Sequence, residues 1–85
     1  MADILKTAQD AVKARGKDYG DVYINHKRIA DQWAVTLGVP VAPEQVAVMM
    51  VQLKLARLME TPTHEDSWVD VAGYAWTGSR CIKEK

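Results

Sequence analysis

The 85-residue sequence has a single cysteine, three prolines, five glycines and no phenylalanine, and its 11 basic residues are balanced by 11 acidic ones. One thiol excludes an internal disulfide framework, and a lone Cys81 suits a reducing compartment. Zero net charge, with no cluster of five or more Lys/Arg, removes the long-range attraction that a sequence-independent nucleic-acid binder needs. No apolar run approaches the roughly 20 residues of a membrane span. Residues Met1 to Lys6 lack a signal-peptide core. The expected location is therefore the cytoplasm, with neither nucleic acid nor membrane as partner. No HxH, HExxH or CxxC pattern is present, which argues against zinc. Cys81 has no neighbouring histidine, and Ser67 and Ser79 lack a GxSxG setting, so no catalytic nucleophile and no cofactor are indicated.

What is abundant is helical periodicity. Hydrophobic residues make up 48% of the chain, and three punctuation points, at residues 16–20, 38–43 and 61–63, divide it into segments that follow the 3.6-residue period. This predicts an all-α single domain with helices at about 3–15, 21–37, 43–60 and 64–77 and a fraying tail at 78–85. Short connections imply a small four-helix antiparallel array. A chain this short buries only about 60 to 65% of its unfolded surface, so completion by homo-oligomerisation is expected.

In the first helix Ile4, Leu5, Ala8, Val12 and Arg15 form one stripe that Gly16 is expected to close. In the second, Val22, His26, Ile29, Trp33 and Leu37 share a face. The third is apolar almost all round, from Val46 to Met59, and should be covered by neighbours and a second subunit. Thr63 with Asp66 resembles a capping box for the fourth helix, whose core stripe is expected to be Trp68, Val71, Ala72 and Ala75.

Lys54 and Arg57 stand out because they sit in the apolar wall of the third helix. Unpaired buried charges cost several kcal/mol, so carboxylates or a bound anion should face them. Asp66 and Asp70, with Gly73 and Thr77, form a polar strip on the fourth helix and are the expected partners. Such a network could merely fix helix register. It could also receive a phosphate, either directly or through Mg²⁺ held by Asp66 and Asp70. His26 interrupts an apolar stripe and is either a hydrogen-bonded core residue or a group facing a pocket. The turn Arg15-Gly16-Lys17-Asp18-Tyr19-Gly20 offers cations, backbone amides and a ring to an anion, although it matches no P-loop or dinucleotide fingerprint.

RGKDYG at 15–20, Asn25 with IADQW at 29–33, VAVMMVQLKLARL at 46–58 and HEDSWVDVAGYA at 64–75 resemble a family of small phage and prophage proteins over roughly residues 14–76. More distantly the layout is similar to all-α MazG-like nucleotide pyrophosphohydrolases, which hold Mg²⁺ with carboxylates. That resemblance implies Asp66 and Asp70 as metal contacts and Lys54 and Arg57 as phosphate contacts. The paired ExxE and ExxD helices of that enzyme group have no counterpart here, because no acidic residue lies between Glu44 and Glu60. Small phage proteins also include helical oligomers that sequester nucleotide signals of bacterial immunity. The expected function is accordingly a phage-type, anti-defence binder of an anionic nucleotide-like ligand. Its contacts are Lys54, Arg57, Arg15 and Lys17, with Asp66 and Asp70 orienting, Tyr19, Tyr74 or Trp76 stacking, and Asn25 and His26 hydrogen-bonding. A Mg²⁺-dependent pyrophosphohydrolase and a plain interaction protein are the alternatives.

Overall fold

The computed structural model describes residues 3–83. Four helices follow in order: α1 Ile4–Tyr19, α2 Val22–Leu37, α3 Pro43–Glu60 and α4 Glu65–Lys83. Each start has a local chemical cause. Asp3 and Asp21 accept the orphan amides of Lys6 and Ile24. At α3, Pro43 needs no amide partner in the first turn, and the Gln45 side chain accepts from the Ala42 amide. Gly38 ends α2 in the left-handed region, where a Cβ would be strained.

Lys54 of α3 meets Asp70 of α4 while Ala47 lies against Gly78, so these two helices run antiparallel. Arg15 of α1 meets Asp70 and Val12 packs at Gly73, which makes α1 antiparallel to α4 as well. The closest pairing is α3 with α4, whereas α1 packs mainly on α4 and barely touches α2. Among the described residues no helix is long and apolar enough to cross a membrane.

Three expectations are corrected. Gly16 does not end α1, which continues to Tyr19 and is closed by Gly20 at φ 78°. An internal glycine costs only about 1 kcal/mol against alanine, too little to stop a helix when a better terminator follows within a turn. Nor does the chain fray at 78, since α4 runs on to Lys83; Cys81 is fully buried and Arg80 lies over the Trp76 ring at 5.7 Å. Residues 84 and 85 of the expected tail lie outside the described residues. Finally, α4 starts after His64, whose Nδ1 accepts the Ser67 amide and pairs with the Ser67 hydroxyl at 2.7 Å, so histidine rather than Thr63 is the cap.

The face that α4 turns inward also differs from expectation. Trp68 is 42% exposed and its indole N–H donates to the Pro62 carbonyl over the α3–α4 connection, and Ala75 is exposed. Ser67, Val69, Asp70 and Cys81 are the buried residues of α4. Polar residues occupy the interior because each has a partner there: His64 for Ser67, and Lys54 and Arg15 for Asp70. The remaining core is built from small side chains, Ala8, Ala30, Val46 and Ala47, with Leu58.

A cleft enclosed by all four helices

Small core residues leave the centre of the array unfilled. A cleft of about 490 Å³ lies there, with walls from every helix. From α3 come Val46, Met50 and Lys54, spaced i, i+4 and i+8, and from α4 come Val69, Asp70, Gly73, Tyr74 and Thr77. The α1 wall is Ala8, Val12 and Arg15, with Tyr19 at its end, and α2 supplies Asn25, His26, Ile29 and Trp33. Of the wall helices that touch one another, α1 and α2 do so least.

One end of the cleft is charged. The Lys54 ammonium lies 3.2 Å from one Asp70 oxygen and the Arg15 guanidinium 3.7 Å from the other. Lys54 and Asp70 have side chains only 12% and 9% exposed, while the Arg15 side chain is 54% exposed. Two cations therefore share one carboxylate, leaving one positive charge in excess in a partly dry wall, where charge acts more strongly than in bulk water. One turn further along α1 and α4, where Val12 lies against Gly73, the lining becomes apolar.

His26 is buried, 6% exposed, and lines the same cleft. Neither of its ring nitrogens meets hydrogen-bond geometry with any described group. Burial pushes its pKa below the ordinary histidine value, and the backbone at Val22 offsets only part of that. The ring is thus held neutral near pH 7, with one N–H to donate and one lone pair to accept.

The expected site residues separate into two groups. Lys54, Asp70, Arg15, Tyr19, Asn25, His26 and Tyr74 converge on the cleft. Arg57 and Asp66 do not: both are exposed, and among the described residues neither forms an ion pair, so half of the expected four-residue network is absent. The reason is axial: Arg57 shares the angular row of Val46 and Met50 but stands in the last turn of α3, beyond Lys54, the final α3 residue to line the cleft. Lys17 is exposed and outside the cleft, and Trp76 lines a smaller neighbouring groove with Tyr23 and Arg80. Trp33 and Met50 also line the cleft, and the sequence hides them because apolar residues at helical spacing signal a core wherever they fall. The Arg15–Asp70 pairing spans 55 positions and leaves no local signal.

Among the described residues no three His, Cys, Asp or Glu side chains come together as a metal-binding group. Asp70 is already engaged by two cations, and Asp66 stands outside the cleft.

Two curated proteins are similar to the chain. The "Gene 55 protein" of Mycobacterium phage L5 is 53% identical over 74 residues, covering 85% of this chain and 47% of that protein. The "Gene 55 protein" of Mycobacterium phage D29 is 37% identical over 82 residues, covering 95% and 54%. The chain thus spans about half the length of these relatives. No solved structure matches it. A family model covers nearly every described residue, from 3 to 82, and the chain belongs to that family, described as Domain of unknown function (DUF6378).

Proposed function

We propose that the protein is a phage-type binder of a small anionic, nucleotide-like ligand, and that the cleft between the four helices is its seat. The observation that carries this is the pairing of Lys54 and Arg15 with a single carboxylate at one end of a largely apolar cleft of about 490 Å³. That volume falls within the range of small-molecule sites, which combine apolar walls with a few convergent polar groups. A phosphate oxygen would meet both cations, with Asp70 holding them in position, and charge-assisted hydrogen bonds are the strong ones. Tyr19 and Tyr74 supply rings at the rim. Sequestration of a nucleotide signal of host immunity needs such a pocket and no catalytic acid, since an abundant tight binder depletes its ligand by mass action.

The same reading includes self-association. Val48, Leu55 and Met59 recur at i, i+7 and i+11 on the outer face of α3 and are 56%, 45% and 86% exposed, with Met49 and Leu53 beside them. A second copy of the chain is the occupant this stripe fits, because two identical faces meeting about a two-fold axis hide both at once.

Calorimetric titration with a panel of nucleoside mono-, di- and triphosphates and dinucleotides tests the proposal. At least one should bind, and Lys54→Met should weaken it about 10- to 100-fold, the worth of a hydrogen bond between charged groups. Arg57→Met should bind like the wild type. No binding across the panel, or equal binding by Lys54→Met, overturns the assignment. Release of phosphate or pyrophosphate that requires Mg²⁺ would replace it with the MazG-like hydrolase.

A further inference from the structure

The charged end of the cleft accounts for an anion but leaves His26 unexplained. A ring only 6% exposed, whose nitrogens meet full hydrogen-bond geometry with no described group and have only the Val22 backbone as a weak partner, loses most of its hydration for little in return. A phenylalanine or leucine at this position would continue the Val22, Ile29 and Trp33 row of α2 without that cost. Burial also works against its serving as a third cation. What it offers to the cleft is one donor and one acceptor on an uncharged plane.

Resting on the ligand-binding reading above, we infer that His26 recognises the uncharged part of the ligand, a planar nitrogen heterocycle whose edge meets one ring nitrogen in a hydrogen bond, as a nucleobase edge does. The anion and the heterocycle are then read by different helices. Arg15 and Lys54, on α1 and α3, take the charge beside Asp70, and His26 on α2 takes the ring edge, with the Asn25 amide next to it on the same wall. Sites that pair buried polar groups with a ligand discriminate strongly against analogues lacking those groups, since the site is left unsatisfied. An inorganic anion of the same charge would engage only the first pair.

The test uses the intact protein, His26→Phe and His26→Leu, with two probes, inorganic pyrophosphate and the best-bound nucleotide of the panel. In the ligand-free state the melting temperature of at least one variant should rise by about 4 °C or more, because an unsatisfied buried group has been replaced by an apolar one. Nucleotide affinity should fall about tenfold or more in both variants, while pyrophosphate affinity stays within about twofold. Unchanged nucleotide affinity overturns the inference, whatever happens to stability. A parallel loss for both probes, together with lower melting temperatures in both variants, assigns the ring to the fold and overturns it too. If the wild type binds pyrophosphate but no nucleotide, this inference fails and the anion site stands; if it binds neither, both fail.

Discussion

Asp70→Asn removes the one carboxylate that two cations share, and its cost can be worked from the geometry. The Arg15 side chain is more than half exposed and 3.7 Å away, so losing that pair costs about 0–1 kcal/mol, as for other solvent-exposed pairs. Lys54 is different, because its ammonium lies 3.2 Å from Asp70 and its side chain is 12% exposed. Stranding a buried charge costs about 3–5 kcal/mol, reduced here because a flexible lysine can swing its head toward the mouth of the cleft. The sum is about 2–4 kcal/mol. At ~4–8 °C per kcal/mol for a domain of this size, the melting temperature should fall by about 8–32 °C in a circular-dichroism melt at pH 7. The double variant Lys54→Met/Asp70→Asn should recover at least about 1 kcal/mol relative to Asp70→Asn alone, because the stranded charge is gone. An Asp70→Asn protein within about 0.5 kcal/mol of wild type, or additive single and double variants, would refute the argument.

Further outcomes follow from other parts of the fold. Because burial lowers the pKa of His26 below its unfolded value of 6.5, the folded protein binds that proton less readily than the unfolded chain. The contribution of this residue is complete above about pH 6.5 and is lost as pH falls below it, with a slope of up to about 1.4 kcal/mol per pH unit. Denaturant titrations between pH 7 and 5 should therefore show a steeper loss for wild type than for His26→Phe, and parallel curves would contradict the burial argument. His64→Ala should cost about 1–3 kcal/mol in the same assay, since it removes the α4 cap and leaves the buried Ser67 hydroxyl without its partner. Gly16→Ala should stabilise by about 0.5–1 kcal/mol, because the helix continues through it and nothing lies within 4 Å of an added Cβ. Gly78→Leu should destabilise by about 2 kcal/mol or more, because even a Cβ there stands 3.0 Å from that of Ala47.

Much of this fold is legible in the sequence where a residue acts on its own neighbours. Gly38, Pro43 and Pro62 bracket α2 and α3 at the expected places because capping and proline chemistry are local. A tail at 78–85 reads as fraying because chain ends are poorly ordered unless something ties them down. Yet Gly78 is the point where α4 approaches α3 closely enough to exclude a larger side chain, a fact of the partner helix that no local pattern carries. The orientation of α4 shows the same limit. Hydrophobic period turns the Trp68 row inward, but the Ser67–Asp70 row wins because Lys54, Arg15 and His64 stand where they can satisfy it. For the cleft itself, a cation in an apolar row was signal enough to find Lys54 and expect a carboxylate. Arg57, one turn on, carried the same signal and points to solvent. Arg15 and Trp33 are brought to the cleft by helix register alone.

The central claim is that the cleft holds a small anionic ligand, and native mass spectrometry tests it most directly, on protein purified from expressing cells and again after incubation with a nucleotide extract. The account predicts a homo-oligomer carrying an added nucleotide-sized mass in wild type, absent from Lys54→Met and present in Arg57→Met. A wild-type protein that stays bare after incubation, or a Lys54→Met protein that retains the same mass, would contradict it.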